Sequence, residues 1–316
     1  MRSSAIVMNA FRPEPPTASA SDLWRKAARY AVAQPFIIDK TPFYEKMARL
    51  IAQAKMTPQV VAELGVGTGG FLEYAAQSGV WPQARLLGCD LSWEMLELAR
   101  AQLAAAGERA RLIGGVNALD PAGAFYRDEL RAGSADVVAL SQFEHHAPNA
   151  VDSPMAARLA RSGLAFVDKA ALRRLAFSRL RPGGWLFVID DYAAATEEQN
   201  RQWQQAWDAH VVAMFARPEV IARLAETDAA WAAQIAQSYS PDRPHGERLV
   251  FAARARQQRR LRRCEEIQPL AEARADFAQL FAGGECGCIP HPLAGAHPQF
   301  YLFWGRKKTD ESFYRE

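Results

Sequence analysis

Apolar positions along this chain change period twice. From Asp22 to about Lys55 they recur at helical spacing. Trp24, Ala28, Ala31 and Ala33 predict one helix closed by Pro35, and Pro42 opens a second carrying Phe43, Met47, Leu50 and Ile51. Between Pro58 and Tyr192 short apolar runs alternate with helical stretches. The runs predict strands over Val60–Leu64, Arg85–Cys89, Arg111–Gly115, Asp136–Ser141 and Trp185–Asp190. Helices are expected over Gly70–Gln77, Ser92–Ala106 and Lys169–Leu180, with a short turn near Pro121–Leu130. Repeated strand–helix units of this kind imply a parallel sheet covered on both faces.

After Asp191 the alternation stops. Thr196 to Gln237 reads as a pair of helices split near Pro218, with Trp203, Trp207, His210, Val211 and Met214 on one stripe. The polar stretch SPDRPHGER predicts a loop, followed by a helix carrying Arg254, Arg256, Arg259, Arg260, Arg262 and Arg263. PQFYLFWGR (298–306) reads as a closing strand with GGECGCIPHPLAGAH as its hairpin approach. The expected organisation is a disordered lead-in (1–20), an N-terminal helical cap (21–57), an α/β core (58–192), a helical insertion (193–280), final strands (281–307) and a tail (308–316).

Composition narrows the class. Of 316 residues 49% are hydrophobic and 23% charged, and the net charge is +3. That supports a large core and argues against a chain built to coat nucleic acid. Four cysteines (Cys89, Cys264, Cys286, Cys288) form no disulfide pattern, which predicts a reducing, cytoplasmic location. The first residues predict no secretory signal, and no apolar run reaches the ~20 residues of a membrane span.

The run VVAELGVGTGGFLEYA (60–75) is a strand ending on Glu63, a glycine loop, and a helix start. Gly65, Gly67 and Gly70 satisfy GxGxxG, a dinucleotide fingerprint. Glu63 argues for another ligand. A carboxylate there repels a pyrophosphate and welcomes an ammonium or a sulfonium. Asp90 ends the next strand, where a carboxylate can accept both ribose hydroxyls of a nucleoside; its plain alternative is a helix N-cap.

With these motifs in order, the chain resembles the class I methyltransferases that use S-adenosyl-L-methionine (SAM), in their small-molecule branch. The resemblance covers about Tyr44 to Tyr192 and the last strand. ELGVGTG, with Gly65, Gly67 and Gly69, resembles the family's first motif, and Asp90 its ribose acid. Asn117 stands where the family often has an aspartate facing the adenine amino group. LRPGGWLFVIDD resembles its turn into the fifth strand, and FYLFWGRK its antiparallel last strand. The resemblance implies a Rossmann-like doubly wound α/β sheet, mostly parallel, with N-terminal helices and a helical insertion as substrate lid. It implies a cofactor set of Tyr44, Glu63, the three glycines, Asp90, Leu91, Asn117, Ala118 and Ser141, with Glu63 on the methionine ammonium.

SQFEHH (141–146) lies at the end of the fourth strand, over the cofactor's reactive end in this architecture. His145 or His146 is the expected base and Glu144 its positioner; capping or loop packing is the structural alternative. Tyr192, Trp203 and Trp207 are candidates to line the acceptor site, although helix packing is the plainer reading of the tryptophan stripe. Cys286-x-Cys288-x-x-His291, with His297 beyond, lacks the CxxC spacing of a zinc knuckle, so no metal is expected. The predicted function is methyl transfer to an oxygen or nitrogen of a small molecule, by a monomer or homodimer. Rivals are another use of SAM, such as its cyclisation to azetidine-2-carboxylate with release of methylthioadenosine, a non-catalytic SAM-binding module, and a nicotinamide oxidoreductase.

Overall fold

The computed structural model describes residues 20–263, 266–292 and 299–309, without the side chains of 20–26 and 259–263. The lead-in before residue 20, the side chains of Trp24 and of Arg259, Arg260, Arg262 and Arg263, and Cys264, Glu265, His297 and the end of the tail therefore lie outside the described residues. In chain order the elements are α1 (Ala20–Ile37), α2 (Thr41–Gln53), β1 (Val60–Leu64), α3 (Gly70–Gln77), β2 (Arg85–Asp90), α4 (Trp93–Gln102), β3 (Ala110–Gly114), β4 (Ala135–Ser141), α5 (Pro154–Arg161), α6 (Lys169–Arg179) and β5 (Leu180–Asp191). There follow α7 (Glu197–Phe215), α8 (Pro218–Thr227), α9 (Ala229–Tyr239), α10 (His245–Arg263), α11 (Leu270–Leu280), β6 (Glu285–Pro290) and β7 (Phe300–Arg306).

The strands form one sheet in the order β3-β2-β1-β4-β5-β7-β6. β1 to β5 are mutually parallel, with Val61 beside Leu86 on one flank and Val137 on the other. β7 runs antiparallel between β5 and β6. The order reverses between β1 and β4, and the crevice above that switch point is where open α/β sheets take ligands.

Alternate residues feed two cores. On one face Val61, Val137, Trp185, Phe187 and Ile189 pack against Phe43, Met47 and Ile51 of α2, Phe71 and Leu72 of α3 and Leu96 of α4. On the other, Ala62, Leu64, Val138, Leu186 and Val188 pack against Leu172 and Ala176 of α6 and Phe277 of α11. A third, smaller cluster lies within the helical insertion, where Phe215, Val220, Leu224 and Tyr239 gather around Ala33 of α1. The insertion is thus built against the N-terminal helix.

Several sequence expectations need correcting. α1 passes through Pro35 and closes at Ile37. Pro35 lies in the last turn, so the helix forgoes the bond to Ala31 without being broken in its interior. The pair of helices over 196–237 is three. Asp228 separates α8 from α9, capping α9 by accepting from the Trp231 amide (2.9 Å) and pairing with Arg29 of α1 (2.6 Å). The loop SPDRPHGER is shorter than expected, because α10 already starts at His245. Helices α5 and α11 were not anticipated, although Ser153 caps α5 and Pro154 opens it.

A buried polar knot ties the insertion's far end to the core. The Arg173 guanidinium, on α6 and 1% exposed, donates to both Glu144 oxygens (2.5 and 2.7 Å), to Asp276 (2.9 Å) and to Gln268 (2.7 Å). The Tyr192 hydroxyl donates to Glu144 at 3.1 Å. Burial opposes the charge on Arg173, but Glu144 and its hydrogen bonds outweigh it and raise the pKa further. Removing one partner of such a pair strands a charge in the interior. Arg173→Met is expected to lower unfolding free energy in urea by ~3–5 kcal/mol, and the double variant with Glu144→Leu to recover most of that loss. Equal destabilisation in both variants would contradict this view of the knot.

Candidate functional site

The floor of the site is the loop from β1 to α3. Gly65 (φ +64°) is left-handed, and a Cβ there would overlap the Phe143 ring. The Val66 amide donates to the Cys89 carbonyl (2.9 Å) and the Gly67 amide to the Asp90 carboxylate (2.8 Å), fastening the loop to the end of β2. Asp90 also accepts from the Ser92 amide at 2.9 Å. The N-cap of α4 is Ser92, whose hydroxyl accepts from the Met95 amide, so Asp90 is not spent as a cap. Burial raises the Asp90 pKa, with the backbone bonds from Ser92 and Gly67 pulling the other way.

Glu63 stands at the crevice floor, 2% exposed, and its Oε2 has no hydrogen-bond partner among the described residues. Burial pushes its carboxyl up to about 8, with Lys40 acting in the opposite sense. Lys40, from the turn between α1 and α2, is pulled down to about 8 by burial, while Glu63 and Asp190 hold its charge in. Its Nζ donates to the Ser141 hydroxyl (3.2 Å), which also meets the Tyr44 hydroxyl (3.2 Å). A buried carboxylate facing a cavity with an oxygen unmatched is a place for a cationic donor.

These groups line one cavity of about 560 Å3. Glu63, Gly65, Gly67, Asp90, Leu91, Asn117, Ala118, Ser141, His145 and His146 all contribute to it. Gly69 and Tyr44 stand behind the wall, Gly69 as the left-handed N-cap of α3 (φ 91°). Asn117 accepts from the Leu119 amide (3.1 Å) and donates to the Ala165 carbonyl (2.5 Å), so it joins the β3 loop to the chain after α5.

Above the end of β4, Gln142 takes a left-handed conformation (φ +56°) and the chain turns through a 3-10 segment, Glu144–His146. This aims His145 at the cavity and Glu144 away from it. Glu144 is not the positioner of a histidine: its carboxylate lies in the Arg173 knot. Asp190 takes that place. It accepts from the His145 amide and from Nδ1, both at 2.9 Å, and from the Asp191 amide at 2.8 Å. Burial works against ionised Asp190, yet the His145 charge and these bonds together lower its pKa. With Nδ1–H given to Asp190, the neutral imidazole carries its lone pair on Nε2. His146 lies beside it, ring centroids 4.2 Å apart.

Three aromatic candidates lie elsewhere. Tyr192 is buried on Glu144 and Phe303. Trp207 stacks on Phe300 (5.9 Å) within the core, and Trp203 packs on Tyr301. None lines the cavity; the helical stripe on α7 is packing. The roof comes from α1, through Tyr30 and Gln34, and from α5, through Met155, Arg158 and Leu159. Neither Lys40 nor this roof was anticipated. Lys40 lies 101 residues from Ser141 along the chain, and only the fold joins them. Among the described residues no His, Cys, Asp or Glu cluster could hold a metal ion. His291 is buried, bonded to the Asp39 carbonyl (2.7 Å) and edge-on to Phe43.

Residues 61–163 match the methyltransferase domain family. No curated protein matches the chain. Among solved structures it is similar to an O-methyltransferase family protein from Burkholderia thailandensis, at 16% identity and a TM-score of 0.49, over 90% of this chain and 60% of that one. This chain therefore spans less than two thirds of that protein's length. A SAM-dependent methyltransferase from Aquifex aeolicus is similar over 89% of this chain and 97% of its own, at 9% identity and a TM-score of 0.44. The matched segment holds the glycine loop, Asp90 and both histidines, and the sheet order with antiparallel β7 completes the fold around it. Residues 61–163 thus match a methyltransferase domain, and they lie within a seven-stranded sheet of the class I methyltransferase order.

Proposed function

We propose that the chain transfers a methyl group from SAM to an oxygen or nitrogen atom of a small molecule, with His145 as the base. One observation carries this reading: the His145–Asp190 pair opens onto the same cavity as Glu63 and Asp90. In it, Glu63 receives the methionine ammonium, Asp90 the ribose hydroxyls, and Asn117 and Ala118 border the adenine. The unmatched Glu63 oxygen and the open glycine turn fit such a ligand. Bound SAM supplies an activated methyl carbon on a good leaving group. The residues then have three tasks: align the acceptor, exclude water, and take a proton at His145 Nε2 if the acceptor needs one. Asp190 positions the ring and stabilises the imidazolium that results.

The chain incubated with SAM and fractionated cell extract is expected to release S-adenosylhomocysteine; methylthioadenosine instead would mean a different use of the cofactor. Asp190→Asn and His145→Gln are each expected to slow turnover by ~10²–10⁴-fold while cofactor affinity stays within about twofold. Full turnover in both variants would remove His145 from the base role.

The position of Glu63 also predicts a pH dependence. Because its folded pKa is raised, the associated stability is present below its ordinary value of 4.5 and is lost as pH rises through about 8. A cation binding the ionised form opposes that loss and expels a proton. SAM affinity should therefore strengthen roughly tenfold between about pH 6 and about pH 7, with proton release visible in buffers of different ionisation enthalpy. Glu63→Gln should flatten that slope. A slope unchanged in the variant would assign the proton to another group.

A further inference from the structure

Helix α10 presents two unlike faces. On the inner one Ala252 is 3% exposed among Phe215, Val220 and Tyr239. Beside it Arg256 donates to both carboxylate oxygens of Asp208 on α7, at 2.9 Å each. On the outer one Glu247, Val250, Phe251 and Arg254 follow one another at three- and four-residue spacing. Val250 is 51% exposed and Phe251 42%, the Phe251 ring meeting Tyr239 edge-on at 5.2 Å. The other exposed large apolar side chains among the described residues, Val80, Leu91 and Val151, are scattered singly along the chain, and Leu91 faces the cavity above the glycine loop. Single exposures of that kind are ordinary; a neighbouring pair is a patch.

Basic groups frame the pair. Arg243 and Arg254 line the same cavity, of about 440 Å3, as Val250 and Phe251. Arg243 is fixed there by its Nε bond to the Gln237 carbonyl (2.7 Å), with Glu247 3.7 Å away. The α10 sequence carries seven arginines against that one glutamate, in a chain whose net charge is only +3. An occupant complementary to this face supplies both anionic groups and apolar atoms. Residues 1–19 of the chain do not, since they hold two arginines and one glutamate. A second copy, paired about a two-fold axis, brings the same basic patch against itself. Single-stranded RNA supplies the anions, but the aliphatic Val250 gives a base no ring to stack on. An anionic bilayer supplies both, with phosphates for the arginines and acyl chains for Val250 and Phe251.

We propose that the outer face of α10 docks on an anionic phospholipid surface. Val250 and Phe251 enter the boundary between headgroups and acyl chains, and Arg243 and Arg254 meet the headgroup phosphates. The contact is peripheral and reversible, because two apolar side chains anchor far less than a spanning helix. Nothing in it requires the cofactor or the methyl-transfer reading.

The test is co-sedimentation of the full-length chain with vesicles of phosphatidylcholine, alone or mixed with phosphatidylglycerol. Binding to the anionic vesicles is expected to be at least ~10-fold tighter at about 0.1 M salt, and to weaken as added salt shortens the screening length. The double variant Val250→Ser/Phe251→Ser and the single variant Arg254→Gln should each weaken it about 5-fold or more, with far-UV circular dichroism unchanged. The proposal is overturned by equal binding to both vesicles, by binding to neither, or by full vesicle binding in both variants. It is also overturned if the wild type forms a dimer without lipid that the serine variant dissolves, or if the variants lose binding to an oligouridylate and keep binding to vesicles. The wild-type vesicle comparison stands even if a variant does not fold.

Discussion

A carboxylate buried at the end of β1 governs this molecule. Moving Glu63 out of water is costly, and the surroundings offset only part of that cost: Lys40 acts at a distance and one oxygen has no donor among the described residues. The same residue sits above a turn whose glycines let another molecule approach the backbone. A fold selected for stability alone would place an apolar side chain there. The unmatched acid makes sense as half of an interaction whose other half is a cation.

The rest of the architecture holds that acid in register with the groups it must work with. Parallel pairing sets Glu63 beside Gly88 of β2 and Ala139 of β4, each two residues before Asp90 and Ser141, so the three side chains gather at the carboxyl ends of neighbouring strands. Antiparallel β7 pairs with β5 along its length, so the end of β5 keeps Asp190 fixed under His145. The helical insertion contributes no lining residue among those described, yet it sets the roof. Its α8 and α9 seat α1 through Arg29 and Asp228. The segment after α10 returns Glu266 to accept from the Asn149 and Met155 amides (2.7 and 2.8 Å) at the start of α5. Roof and floor are thus separate pieces clamped by charge-assisted bonds.

The sequence made the floor readable and the roof opaque. β1 and α3 were bounded correctly because an apolar run, an acid and four glycines punctuate them locally. Asp90, Asn117 and the histidines follow from strand ends for the same reason. Glu144 misled because SQFEHH puts an acid next to a histidine, whereas the chain's turn at Gln142 sends the two side chains to opposite faces. Its real partner, Arg173, and the histidine's real partner, Asp190, lie 29 and 45 residues away. Lys40 gave no local sign at all. Trp207 shows a different limit, since a stripe of aromatics at helical spacing looks the same whether it meets ligand or core.

The most direct measurement is a crystal structure of the chain with S-adenosylhomocysteine. The account predicts the amino group of the ligand within hydrogen-bonding distance of Glu63 and both ribose hydroxyls on Asp90, under the roof formed by α1 and α5. A ligand bound with its ribose or adenine against Glu63, or outside this cavity, would contradict it.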